Sequence, residues 1–344
     1  MSKPLDYLIV GLGIAGISIC EELQARKLSF KVFNTYSKCA TAVSGGILNP
    51  TVLKWFTTPP HTEKFYPKAL DFYASLQNKL KGNSFYCQKP IYRIFASYQE
   101  QNNWMAASDK VKMKAYLNPD IVSNGNPNIN APYGMGIINQ TAQIDIQTLI
   151  DQYVSELRKL GCYHDVRFLY DQLRLTHDTF EYKGITAKHI VFCEGISVLN
   201  NPFFKDIALK PGKGEYLIVH APDLKATGIL KGKRYLIPLG ADTYKVGATF
   251  GDESDGLDWE PSDKAFEILK SDIEEMIACA FTIEHHFAGI RPLTPDNKPI
   301  LKQHSAHPRM ACFNGLGMRG LTTAPYYAGV LIDCLESANA IPTV

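Results

Sequence analysis

The sequence predicts an α/β fold of two domains, the first opening on a Rossmann-type βαβ unit. Three observations carry this reading. Residues 6–33 read as strand, glycine turn, helix and strand; later stretches alternate strand-like and helical patterns; and 344 residues exceed the roughly 100–200 of one domain.

Composition narrows the class. Hydrophobic residues make up 45% and charged residues 20% of the chain, the balance of a soluble globular protein. The formal charge of +2, from 36 basic and 34 acidic residues, gives no electrostatic reason to expect nucleic acid or an anionic membrane as partner. The apolar stretch Leu8–Ile19 is broken by three glycines and followed by Glu21–Glu22, where a signal peptide would need small residues. No uninterrupted apolar run reaches the ~18 residues of a membrane-spanning helix. Eight cysteines are scattered without Cys-x-x-Cys spacing, so neither a zinc ribbon nor a redox pair is expected. A reducing, cytoplasmic setting and no metal centre are the corresponding expectations.

The first strand, Asp6-Tyr-Leu-Ile-Val10, is a short buried run. Gly11-Leu-Gly13-Ile14-Ala15-Gly16 follows at once, and Ile14 to Arg26 carries apolar Ile17, Cys20 and Leu23 along one side. Phe30-Lys-Val-Phe33 is the second strand. In this context Gly11 permits the tight turn, Gly13 lets backbone approach a pyrophosphate, and Gly16 allows close helix packing. Ile14 and Ala15 open the helix, whose free N–H groups and positive dipole end suit phosphates. One position departs from the pattern. Asn34 stands where an acidic residue normally grips the adenosine ribose. Its amide retains hydrogen-bonding capacity without charge, and Asn34, Ser37 and Lys38 together leave a 2′-phosphate, hence NADP, open.

Later segments add to this. Ser44-Gly45-Gly46 is a small-residue loop after the second strand, either an ordinary surface turn or a source of backbone N–H groups near a pyrophosphate. Ala187 to Cys193 is a strand, followed by Glu194 and closed by Gly195. Arg234 to Thr249 reads as a hairpin containing Tyr235, Pro238 and Gly247-Ala-Thr249. Gly289-Ile-Arg291-Pro292-Leu-Thr-Pro295-Asp296 follows a helical stretch from Ser262, a plausible N-cap, to Phe281. Asn118 to Tyr133, rich in Asn, Pro and Gly, reads as a long loop over the active site. Gly315-Leu-Gly317-Met-Arg319-Gly320-Leu321 precedes a final helix to about Glu336.

Taken in order, these motifs resemble the D-amino-acid oxidase superfamily, in particular its glycine oxidase and sarcosine oxidase-like branch, over nearly the whole chain. The resemblance implies FAD as cofactor. It implies a Rossmann-type FAD domain from residues 1–84, 141–205 and 286–344, and a smaller α+β substrate domain on an antiparallel sheet from 85–140 and 206–285. It implies oxidation of an amine or amino acid to an imine by hydride transfer, imine hydrolysis, and reoxidation by O2 or another acceptor. The cofactor would rest on Gly11, Gly13, Ile14, Ala15, Gly16, Asn34, Ser44, Gly45, Gly46, Gly195, Gly315, Gly317, Arg319 and Gly320. Arg319 either adds charge there or is a solvated side chain.

Arg291 matches the family arginine that holds a substrate carboxylate, for which a guanidinium is a two-pronged donor; the alternative is an ordinary surface ion pair. Tyr235 matches the hairpin tyrosine that faces the cavity, with buried packing as the alternative. The family's usual arginine after the hairpin proline is replaced by Leu239. Lys54, His61, His285 and His286 are not assigned catalytic roles. The final glycine turn also looks like the oxidase domain of the bifunctional enzyme that completes 5-methylaminomethyluridine in tRNA. That leaves a modified tRNA base as one alternative substrate; a flavin-binding module without turnover is the other alternative. The oligomeric state is not readable from the chain.

Overall fold

In the computed structural model, which describes residues 3–35, 39–176, 178–251 and 258–337, the expected α/β fold is built on two large sheets. The core of the first is parallel, in the order Tyr163–Asp165, Phe30–Asn34, Leu5–Val10, Ile185–Phe192, Met310–Asn314. Parallel strands covered on both faces read as continuous apolar runs, and Leu5–Val10 behaves so. Tyr7 and Ile9 enter one core with the helices Ile14–Ala25, Thr62–Leu80, Ile146–Lys159 and Gly320–Ser337. Leu8 and Val10 enter the opposite core with Phe33, Phe168, Tyr182, Phe192 and Phe204.

The second sheet runs Thr282–Leu293, Lys210–His220, Thr243–Gly247, Tyr235–Gly240, Ile229–Lys231, Ile91–Ile94, Met135–Ile138, Leu117–Val122. It is antiparallel except where Ile229–Lys231 meets Ile91–Ile94 in parallel, the seam between two sequence-distant groups of strands. One face packs on the helix Asp263–Met276 through Leu217, Val219, Leu269 and Ile273. The other packs on Tyr98–Ser108 through Trp104, Ile91, Ile138 and Ile237.

Three expectations need adjusting. The helix capped by Ser262 stops at Met276, not Phe281, because Ile277 is already extended and the chain must reach the strand starting at Thr282. Leu117–Val122 is an edge strand, and the turn after it is pinned away from the main cavity by Asn126 and Asn128 donating to the carbonyls of Leu224 and Asp223. The boundary drawn at residue 286 falls inside Thr282–Leu293, which pairs with Lys210–His220 from end to end. We therefore propose the two-domain division with that whole strand kept on the second sheet.

A buried polar cluster ties this strand pair to the helix behind it. Glu215 and Lys213 are 3% and 5% exposed, deep enough that their charges need partners. Glu215 accepts from Ser262 N and Oγ, both at 2.8 Å, lies 2.9 Å from His286 Nε2, and sits 3.7 Å from Lys213 Nζ. Replacing Glu215 with Ala removes the acceptor of both Ser262 donors and one of the two acids beside Lys213, leaving Asp258 at 3.3 Å. The expected loss is about 3–5 kcal/mol of unfolding free energy, read from denaturant melts; a loss below 1 kcal/mol would show that the cluster is not structural.

Candidate cofactor and active site

The C-terminal ends of Leu5–Val10, Ile185–Phe192 and Met310–Asn314 meet at one edge of the parallel sheet, where a ligand crevice is expected. A cavity of about 630 Å³ opens there. Its wall begins with Gly11 to Ala15. A Cβ on Gly11 would stand 2.4 Å from Cys193 O, and one on Gly16 would stand 2.2 Å from Gly11 O. Gly16 itself lies behind the wall, so its part is packing of helix on turn, as the sequence suggests. The helix starts at Ile14 without a side-chain cap from Gly13. Thr41 Oγ1 accepts the Ile14 N–H at 3.0 Å, and Gly13 and Ala15 remain at the wall.

Asn34 also lines the cavity, and its Oδ1 accepts the Leu12 N–H at 3.0 Å. The side chain thus braces the glycine turn. Ser37 and Lys38 lie outside the described residues.

Ser44, Gly45 and Gly46 form the next stretch of wall. Gly46 has φ +67°, and a Cβ there would stand 2.0 Å from Ile144 O, so only glycine fits. Ser44 Oγ is buried without a hydrogen-bond partner among the described residues. Ser44 O accepts from Lys245 Nζ at 2.6 Å. That ammonium sits 4.8 Å and 4.9 Å from the ring centres of Tyr216 and Phe287, and burial brings its pKa down to about 8.

The far wall comes from the C-terminal turn. Gly317, Arg319 and Gly320 line it together with Met318 and Leu321 at the start of the last helix. Gly315 does not; a Cβ there would press on Thr294 and Ile300, so it serves packing. Arg319 is not solvated. Its Nη2 donates to Thr51 O at 3.1 Å, its Nη1 to Asn49 O at 3.4 Å, and no carboxylate pairs with it among the described residues. Burial lowers its pKa, yet a guanidinium stays charged.

The second sheet supplies Tyr235 and Arg291. Tyr235 Oη accepts from Asn49 Nδ2 at 3.0 Å, and burial raises its pKa, so it faces the cavity as a neutral phenol with its own proton to donate. Arg291 lies 5.6 Å from the Phe250 ring centre and 3.5 Å from the carbonyls of Gly212 and Lys213. Among the described residues no acid pairs with it. Gly195 completes the list of anticipated wall residues.

Lys54, His61 and His285 are exposed and His286 turns to Glu215; none lines the cavity. Leu239 is 50% exposed and also off the wall, so the missing hairpin arginine does not alter the cavity's charge. The sequence reading missed Thr41, Tyr170, Glu194, Tyr216 and Trp259. Glu194 had a signal, since it directly precedes Gly195; the others reach the wall only through tertiary packing.

FAD fits these residues. A cradle that no Cβ could share, a helix N-terminus, an unpartnered buried hydroxyl on Ser44 and a second helix start on the opposite wall match a long anionic dinucleotide. Gly11–Ala15 would take the pyrophosphate, and Ser44–Gly46 with Gly317–Gly320 the ring system. No group of three His, Cys, Asp or Glu side chains suited to a metal occurs among the described residues.

Comparison with known proteins agrees. The family model described as FAD dependent oxidoreductase matches residues 6–334. Glycine oxidase of Bacillus licheniformis is 24% identical over 97% of this chain and 94% of its own length. The stretch shared with glycine oxidase of Pseudomonas putida is 29% identical and covers 40% of this chain and 38% of that one. Among solved structures, glycine oxidase from Bacillus cereus superposes with a TM-score of 0.79 at 17% identity, covering 98% and 96% of the two chains. L-proline dehydrogenase from P. horikoshii gives 0.79 at 12%, covering 99% and 96%. No helix among the described residues is long and apolar enough to cross a membrane.

Two outcomes follow from this geometry. Gly317 has φ +53° and its Cβ position is 3.4 Å from Leu293, so Gly317→Leu should strain the turn and crowd the ring site. The flavin-to-protein absorbance ratio of the purified variant should fall several-fold; an unchanged ratio removes this turn from the cofactor site. Lys245 has a folded pKa of about 8 against 10.5 for a free lysine. Between those values the unfolded chain holds a proton that the folded chain lacks, so stability rises with pH across that window. The melting temperature of wild type minus that of Lys245→Met should rise from pH 8 to 10.5; a difference that stays flat across that window removes the shift.

Proposed function

The chain belongs to the FAD-dependent oxidoreductase family, and on that premise we propose that it oxidises an amine or amino acid to an imine, which water then hydrolyses. The observation that carries this is Arg291, a guanidinium on the cavity wall that reaches the carbonyls of Gly212 and Lys213 at 3.5 Å and meets no acid among the described residues. A guanidinium that borders a cavity is a two-pronged donor for a ligand anion, and a substrate carboxylate matches it. Tyr235, its oxygen already accepting from Asn49, points its donor capacity at the same space. The relatives named glycine oxidase support the same class of substrate.

Within this reading FAD, when bound, supplies the two-electron acceptor for hydride removal from the carbon beside nitrogen, and O2 is the proposed final oxidant. The chain's own work is positioning. Arg291 and Tyr235 orient the substrate, Arg319 places fixed positive charge on the wall shared with Gly317 and Gly320, and Lys245 holds the Ser44 carbonyl from behind. Eight thiols fit a reducing cytoplasmic setting.

Anaerobic addition of a panel of amino acids and N-substituted amino acids to the holoenzyme should bleach the flavin with at least one of them. A flavin that no amine reduces would favour a binding module without turnover. Arg291→Ala should raise KM for a carboxylate-bearing substrate about 10- to 100-fold, the worth of a hydrogen-bonded charge, with a smaller change in kcat. An unchanged KM would remove Arg291 from substrate binding.

A further inference from the structure

Asn34 leaves a gap at the cofactor site: the acid expected at the end of the second strand is an amide engaged with Leu12 N. The cavity nonetheless holds a carboxylate. Among the described residues on its wall, Glu194 is the only Asp or Glu. It follows the strand Ile185–Phe192, which pairs in parallel with Leu5–Val10, so it emerges at the same sheet edge as the glycine turn. A Cβ on Gly11 would stand 3.3 Å from Glu194 Cα.

Glu194 is held rather than free. Tyr170 Oη donates to its Oε1 at 2.6 Å, and Asn201 Nδ2 donates to its Oε2 at 2.8 Å. The next residue is fixed as well, since Gly195 O accepts from Asn314 Nδ2 at 2.8 Å. Burial outweighs the two donors and leaves the Glu194 carboxyl pKa above its ordinary value. A carboxylate has about four lone-pair sites, so two remain for a ligand.

The cavity's layout says which part of the ligand reaches them. With the pyrophosphate on Gly11–Ala15 and the ring system toward Ser44–Gly46 and Gly317–Gly320, the adenosine half falls to the remaining wall. That wall includes Thr35, Arg167, Tyr170, Glu194, Ser197 and Asn200. We propose that Glu194 is the acidic acceptor for the adenosine half of FAD, moved from the end of the second strand to the end of the strand on the other side of Leu5–Val10. The donors it accepts from are the ribose hydroxyls or the adenine amino group.

The test uses apoprotein prepared from the full chain, with ADP, 2′,3′-dideoxy-ADP and inosine diphosphate competing against FAD in a fluorescence titration. FAD binding by wild type is the internal control and belongs to the family assignment alone. Wild type should bind ADP more tightly than one of the two analogues: the dideoxy analogue if the hydroxyls are read, the inosine analogue if the amino group is read. Glu194→Gln should weaken ADP about 10- to 100-fold and erase that preference. Tyr170→Phe, which frees the carboxylate without removing it, should weaken ADP less and keep the preference. Equal wild-type affinity for all three nucleotides overturns the proposal without any variant. So does a folded Glu194→Gln protein that binds ADP as wild type does.

Discussion

Parallel pairing of Leu5–Val10 with Ile185–Phe192 is the constraint on which the cavity rests. It brings together the ends of two strands separated by about half the chain, with Val10 opposite Phe192. Cys193 N then donates to Val10 O at 2.7 Å, and Gly11 N to Phe33 O at 2.9 Å, so the ladder continues one residue past the strands and fixes the glycine turn. Met310–Cys312 pairs next in line with Ile190–Phe192, which delivers the C-terminal turn to the same edge. Two helices, starting at Ile14 and Gly320, therefore begin at one crevice, and both point their positive ends into it.

A near-neutral chain hides a strongly patterned site. Arg167, Arg291 and Arg319 stand on the wall, and among the described residues that line it Glu194 is the one carboxylate. Arg291, Arg319 and Glu194 are each kept partly from water, where an unmatched charge is expensive. Phosphates of FAD are one natural complement to such a wall, and the carboxylate-bearing substrate proposed above is another. Behind it, Lys245 and Lys231 are each brought down to about 8 by burial, and each lies against an aromatic ring that lines the cavity, Tyr216 and Tyr235 respectively.

What the sequence made legible was what local rules govern. The glycine spacing and the flanking strands placed the first βαβ unit within a residue or two, because turn sterics and apolar runs are encoded locally. Ser262 announced its helix as an N-cap and does accept from Ala265 N. Glu194 was passed over because its meaning depends on Tyr170 and Asn201, which only the fold brings to it. Asn118–Tyr133 looked like a lid from composition alone, yet its asparagines satisfy carbonyls of the second sheet's loops. Gly315 shows the same limit in reverse: the pattern marked it correctly as a glycine position, but packing against Thr294 and Ile300 rather than ligand contact accounts for it.

The last link is mechanical. Thr282–Leu293 belongs to the second sheet, yet its final residues lean on the cofactor side. A Cβ on Gly289 would stand 2.7 Å from Val43, just before the Ser44 loop, and Leu293 lies against Gly317 and Gly212. Arg291 sits between these two contacts on a strand whose alternate side chains face opposite sides. A one-residue slip would turn it away from the cavity while leaving the cofactor wall intact. The register along Lys210–His220 is in turn fixed by the buried Glu215, His286 and Ser262 cluster. The position of Arg291 relative to the Gly317 turn is thus set by a paired strand and a buried polar cluster behind it.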